Sequence, residues 1–150
     1  MLKVRDVMTK KPITLRQNDT LKDALKVLSK NRITGCPVVD TKNKLVGVVG
    51  QTDIIKLVDV YGKINKGKEF TAFISSFIKG KALDIKKIHN IPVKNFCNKK
   101  PITIDHDSRL YEAARIMNKH DVERLPVLKD KKLVGIVSRS DIIKTLDKID

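Results

Sequence analysis

At 150 residues the chain fits one compact domain or two very small ones, and its 41% hydrophobic residues, gathered in short Ile, Val and Leu runs, exclude a disordered protein. The formal charge of +15, most of it lysine, suits nucleic acid, anionic membrane or a phosphorylated ligand but equally a solvated surface, and lysine enrichment with few Gln also marks proteins from organisms that live hot, so charge alone selects no partner. No run approaches the ~20 apolar residues that span a bilayer, and two cysteines, Cys36 and Cys97, without paired spacing or a secretory signal predict a reduced, cytoplasmic, non-membrane protein.

In chain order, a short extended piece over residues 13–15 leads into a helix whose stripe is Leu21, Ala24, Leu25 and Leu28, with Thr20 and Asp23 spaced as a capping box. A strand over residues 37–39, a lysine-containing turn and a second strand over 45–49 follow, and another helix opens near Asp53. The lysine-rich stretch 61–90 carries Phe70, Phe73, Ile74, Phe77 and Ile78 at helical spacing, which predicts a connecting helix packed on the rest as extra core.

The remainder repeats the beginning. Shifted by about 89 positions, Lys10-Lys11-Pro12-Ile13-Thr14 recurs as Lys99-Lys100-Pro101-Ile102-Thr103, Leu21 and Ala24 as Leu110 and Ala113, and Pro37-Val38 as Pro126-Val127. After a one-residue deletion near Lys42, Leu45-Val46-Gly47-Val48-Val49 recurs as Leu133-Val134-Gly135-Ile136-Val137, and Asp53-Ile54-Ile55-Lys56 as Asp141-Ile142-Ile143-Lys144. The second copy therefore repeats an extended piece over 102–104, a helix striped by Leu110, Ala113, Ala114 and Met117, strands over 126–128 and 133–137, and a helix opening near Asp141. The reading is an α+β fold of two β-α-β-β-α copies, residues 1–60 and 91–150, joined by the helical segment 61–90. One copy alone makes a marginal core, so two are expected to pack together.

These residues resemble the CBS domain family. The resemblance rests on Val4-Arg5-Asp6-Val7-Met8-Thr9 before Pro12-Ile13-Thr14, on the Pro-Val strand, and on the Gly-Ile-Val-Ser-Arg-Ser-Asp-Ile of residues 135–142, in that order and duplicated. It implies a tandem pair, a Bateman module standing alone, whose two motifs associate through their strands with a pseudo-two-fold axis. It further implies a non-enzymatic regulatory module without a cofactor. Its clefts would bind an adenosyl effector such as AMP, ADP, ATP, S-adenosylmethionine or methylthioadenosine, and two modules would pair as a homodimer.

Residue chemistry fits that implication. A carboxylate at a helix start can accept from both ribose hydroxyls, which suits Asp141 and Asp53. A phosphate calls for a helix N-terminus, a hydroxyl and a cation, which Ser138, Ser140 and Arg124 supply, although Ser138 to Asp141 also reads as an ordinary capping box. By family geometry the main cleft joins Asp141, Ser138, Ser140, Ile136 and Arg124 to Ile13, Ile33, Thr34 and Met8. The second, weaker cleft joins Asp53, Thr52 and Val48 to Ile102, Val122 and Cys97; it has Gly50 where the main cleft has Ser138, and Gly35 where that one has Arg124. Glu123 beside Arg124 repels a phosphate and favours an uncharged or cationic adenosyl ligand.

His89, His106 and His120 lack metal-ligand spacing and are expected to be exposed, and Cys36 and Cys97 to be inert core. No GxxxxGKS, GxGxxG or GxSxG segment occurs, so no catalytic residue is assigned. Two other readings compete: a basic nucleic-acid-binding protein, short of stacking platforms with no Trp and two Tyr, and a structural interaction module with empty clefts.

Overall fold

Thr20 sets the start of the first long helix through reciprocal bonds: Asp23 N donates to its hydroxyl at 3.3 Å, and its own N donates to Asp23 Oδ2 at 2.9 Å. In this computed structural model, which describes residues 1–64 and 87–149, the chain opens with α1 (Val4–Val7), β1 (Thr9–Lys10), β2 (Leu15–Arg16) and α2 (Leu21–Asn31). The hairpin β3 (Gly35–Val39) and β4 (Leu45–Gly50) then leads into α3 (Gln51–Ile64). The second copy follows with a 3-10 turn at Val93–Asn95, β5 (Ile104–Asp105), α4 (Leu110–His120), β6 (Arg124–Lys129), β7 (Lys132–Ser138) and α5 (Arg139–Asp147). The α+β class is as expected. The helix predicted from Phe70 to Ile78 lies outside the described residues.

Two details differ from the sequence reading. The extended pieces expected at 13–15 and 102–104 become strands only at Leu15 and Ile104, because burial begins there: both side chains are buried, whereas Ile13 is 42% exposed. The apolar stripes are also narrower than predicted. Leu21, Ala24 and Leu28 are buried in α2, with Leu25 39% exposed, and in α4 Ala113 and Met117 are buried while Ala114 faces solvent.

The hairpin turns explain the one-residue deletion. Between β6 and β7 the chain reverses through Asp130 and Lys131, both left-handed at φ 51° and 68°, as a two-residue hairpin loop requires. The first copy uses a longer loop, held by Asp40 Oδ1, which accepts from Lys42 N at 2.8 Å and Lys44 N at 2.9 Å.

The two compact units do not follow the order of the chain. One gathers Met1–Thr14, Val39–Leu45 and Lys100–Asp150; the other gathers Leu15–Val38 and Val46–Lys99. In the first unit β1-β7-β6-β5 form a sheet, with β1 antiparallel to β7 and β5 parallel to β6. Its core holds Val4, Ile104, Ala113, Met117, Leu125, Val127 and Val137. The second unit has the sheet β2-β3-β4 and a core of Leu15, Ala24, Leu28, Cys36, Val38, Val49, Val93 and Cys97.

Each unit thus takes its leading arm from the opposite copy, and the two arms dock alike. Val4 N donates to Ser108 O at 2.8 Å and Arg5 N to His106 O at 3.0 Å; at the equivalent places Val93 N donates to Asp19 O at 2.7 Å and Lys94 N to Gln17 O at 3.1 Å. Val4 and Val93 are both completely buried, a burial that stabilises each arm by roughly 1.5–3 kcal/mol.

Candidate functional site

Two glycines let the arms reach the sheets. A Cβ on Gly135 would lie 2.8 Å from Thr9 O and 2.5 Å from Met8 Sδ, and one on Gly47 would collide with Asn98 O and lie 3.0 Å from Cys97 Sγ. With that space open, Thr9 pairs with Ile136, and Val48 exchanges backbone bonds with Asn98 at 3.0 and 2.8 Å. Met8 is thereby set beside β7, and Cys97 beside β4.

In the first unit β7 runs into α5 through Ser138. Its hydroxyl accepts from Asp141 N at 3.0 Å, and its N donates to Asp141 Oδ2 at 2.9 Å, so the capping box is formed. The box occupies only one carboxylate oxygen; Oδ1 makes no bond among the described residues. The Ser138 hydroxyl accepts in the box and keeps its own proton to donate. Arg124 lies opposite Ser138 across the β6–β7 ladder. The local register therefore brings Arg124 and Ile136 to Ser138 and Asp141 at the start of α5, with Ser140 exposed on its first turn and Ile13 in the same unit, while the Met8 side chain packs against Gly135 and the core. An acceptor, a hydroxyl, a cation and the positive end of a helix dipole converge there.

The second unit repeats the frame with fewer groups. Gly50 N donates to Asp53 Oδ2 at 2.9 Å, but without a side chain Gly50 cannot return the second bond of the box. Val48, Thr52, Asp53 and Cys97 belong to this unit. The remaining expected residues lie with the opposite unit from their carboxylate: Ile33 and Thr34 in the unit of Asp53, and Ile102 and Val122 in the unit of Asp141, half-buried on its core.

Burial pushes the Cys36 thiol up to about 11, with the charge of Asp19 adding to it, and raises the Cys97 thiol as well, with Asp53 adding and Lys99 opposing. Both are buried and free, as inert core thiols are. The histidines differ from expectation: His120 is exposed, but His89 and His106 are half-buried, His106 because its backbone N and O are taken up by Leu128 and Arg5. Among the described residues no cluster of His, Cys, Asp and Glu could hold a metal, and no helix is long and apolar enough to cross a membrane.

One residue beside the site was not singled out from the sequence. Arg139 stands between Ser138 and Ser140, and its side chain turns away to the end of α4. The available signal was a cation in the first turn of a helix, where the dipole disfavours it unless it has another partner.

The family model described as CBS domain matches this chain twice, over residues 4–60 and 93–148. An uncharacterised protein of Methanocaldococcus jannaschii is 30% identical to it, over 95% of this chain and 90% of its own length. Three other curated relatives, among them an A-adding tRNA nucleotidyltransferase of Aquifex aeolicus, are longer, and the chain spans 14%, 31% and 40% of their lengths. Among solved structures, CBSX2 in complex with AMP matches with a TM-score of 0.75 at 26% identity, over 99% of this chain and 98% of that one. A CBS domain pair in complex with 5′-methylthioadenosine and S-adenosyl-L-methionine gives 0.67 at 26% identity, over 98% of this chain and 97% of its own.

Proposed function

Because this chain belongs to the CBS domain family, with both of its copies matched, we propose that it is a regulatory rather than catalytic module that senses an adenosyl ligand through the site at Asp141. The observation that carries the reading is the convergence of Asp141, Ser138 and Arg124 at the start of α5, with one carboxylate oxygen outside the capping box. Oδ1 accepts from the ribose hydroxyls, and Ser138, Ser140 and Arg124 meet a phosphate or the group in its place. Ile136 and Ile13 supply apolar surface for the adenine, the backbone near Met8 contributes to its binding, and the family resemblance adds Ile33 and Thr34. The solved relatives that hold AMP, S-adenosyl-L-methionine and 5′-methylthioadenosine support this ligand class. The Asp53 site, with Thr52, Val48 and Cys97 and with Ile102 and Val122 by resemblance, is the weaker one because Gly50 offers no hydroxyl.

Titration calorimetry with AMP, ATP, S-adenosylmethionine and methylthioadenosine tests the reading. Wild type binds at least one of them. Asp141→Asn, which keeps the size of the side chain, loses at least tenfold in affinity, because each 1.4 kcal/mol of lost ribose contact is tenfold. A wild-type protein that binds none of the four sinks the proposal.

The module acts as a homodimer. Ile55 and Val58 on α3 and Ile143 and Leu146 on α5 occupy equivalent places and are all at least half exposed, more apolar surface than an isolated helix face normally leaves to water. Light scattering gives a dimer mass, and Ile143→Glu with Leu146→Glu gives a monomer.

One observation favours a second reading, nucleic-acid binding. Lys22, Lys26 and Lys30 form an exposed ridge along α2, and Arg115 and Lys119 hold equivalent places on α4. This reading requires binding to single-stranded RNA that weakens steeply with salt, with a slope near −0.7 per phosphate neutralised. Lys22→Gln, Lys26→Gln and Lys30→Gln together would flatten that slope.

A further inference from the structure

A guanidinium in the first turn of α5 opposes the dipole of its own helix. Arg139 resolves the conflict by leaving it: its Nε donates to Val122 O at 3.1 Å, and one terminal nitrogen donates to Met117 O at 3.3 Å and approaches Asp121 Oδ1 at 3.4 Å. Its backbone N donates to Glu123 O at 2.9 Å. One residue therefore spans the positive end of α5 and the negative end of α4, where Met117 O also accepts from the N–H groups of Asp121 and Val122. The ion pair contributes little, since Asp121 is 99% exposed. Charge-assisted bonds to Met117 O in the last turn of α4 and to Val122 O just past its cap carry the brace.

The first copy shows the frame without the brace. Gln51 occupies the equivalent place and keeps the backbone bond, to Thr34 O at 3.1 Å, but its side chain makes no bond to the end of α2 among the described residues.

We propose that Arg139 is the positioning residue of the Asp141 site: by tying the first turn of α5 to the end of α4 it holds Ser138 and Asp141 in place for the adenosyl ligand. The inference rests on the reading of that site given above. Arg139 touches no ligand, so its loss lowers affinity without regard to the ligand's phosphate.

The test is calorimetric binding of AMP and of adenosine to wild type and to Arg139→Gln. Gln is the residue the first copy already tolerates at this place, so the variant folds, and its melting point without ligand is compared with wild type. The expected result is a loss of about tenfold, the worth of one charge-assisted bond, for AMP and adenosine alike. A loss confined to AMP overturns the proposal, because Arg139 would then contact the phosphate itself. Unchanged affinity for both overturns it as well, and so does a loss matched by a collapse of the ligand-free melting point. If wild type binds neither compound, the site reading has failed first, a result distinct from a wild type that binds both and a variant that binds them equally well.

Discussion

Gly50 and Ser138 occupy one place in two copies and differ by a hydroxymethyl group. A Cβ on Gly50 would sit 3.5 Å from Thr34 O and 3.8 Å from Asp53 Oδ2, ordinary contact distances, so a side chain fits. Gly50→Ser then completes the box that Asp53 has half built, and the protein gains a few tenths of a kcal/mol, the usual difference between a serine and a glycine at such a cap. Thermal melts check the gain, and a lower midpoint would show that the glycine serves another purpose. Gly135→Ala is the contrasting case: with Thr9 O 2.8 Å from the new methyl group, β1 must shift, and the midpoint falls. The thiols make a separate prediction. With Cys36 pushed up to about 11 by burial, almost none is thiolate at neutral pH, so disulfide reagents label it only on the time scale of unfolding and at once in denaturant. Fast labelling of the folded protein would mean that its core opens readily.

Among the elements, α2 shows how a local signal becomes a pH response. The Asp23 carboxyl lies below its ordinary value because the Thr20 N–H, and then the Thr20 hydroxyl, bind its ionised form. The folded state favours the carboxylate more than the unfolded chain does. The contribution is therefore complete above the unfolded value and fades as pH falls through the folded one, in the window below about pH 4. Asp23→Asn removes that dependence: its stability falls less than that of wild type between pH 5 and 3 in denaturant titrations. Parallel curves would place the acid sensitivity elsewhere. This cap, the hairpins and the helices after Gly50 and Ser138 were legible in the sequence, because box spacing, turn residues and duplicated apolar runs are local signals. The Ser138 to Asp141 box was equally legible. The pairing of Thr9 with Ile136 was not. A two-residue strand has no periodicity, both of its residues are exposed, and its partner is chosen by the space over Gly135, far along the chain. Arg139 escaped for a similar reason, since the partners that hold it, Val122 O and Met117 O, are carbonyls, and carbonyls carry no letter in a sequence.

For the whole molecule the decisive fact is that each unit is completed by residues from the far side of the chain. Lys3 Nζ meets Asp107 Oδ1 at 2.8 Å and Arg5 reaches the same oxygen at 2.6 Å, but all three side chains are well exposed, so these pairs stabilise little and are screened by salt. The buried Val4 and the β1 ladder hold the arm instead. Deleting residues 1–14 bares the edge of β7 and removes Val4 from the core, so the unit holding Asp141 unfolds before the other and the truncated chain melts in two steps. Screening these pairs with salt therefore costs the intact protein little stability. If the truncated chain melts in one step near the wild-type midpoint, the arm is dispensable. A polypeptide carrying just one repeat would own a socket whose plug is missing and a plug whose socket is elsewhere. Such a half-length ancestor or fragment is complete only when it trades ends with a sister molecule, and the duplicated chain is that trade made permanent by a tether.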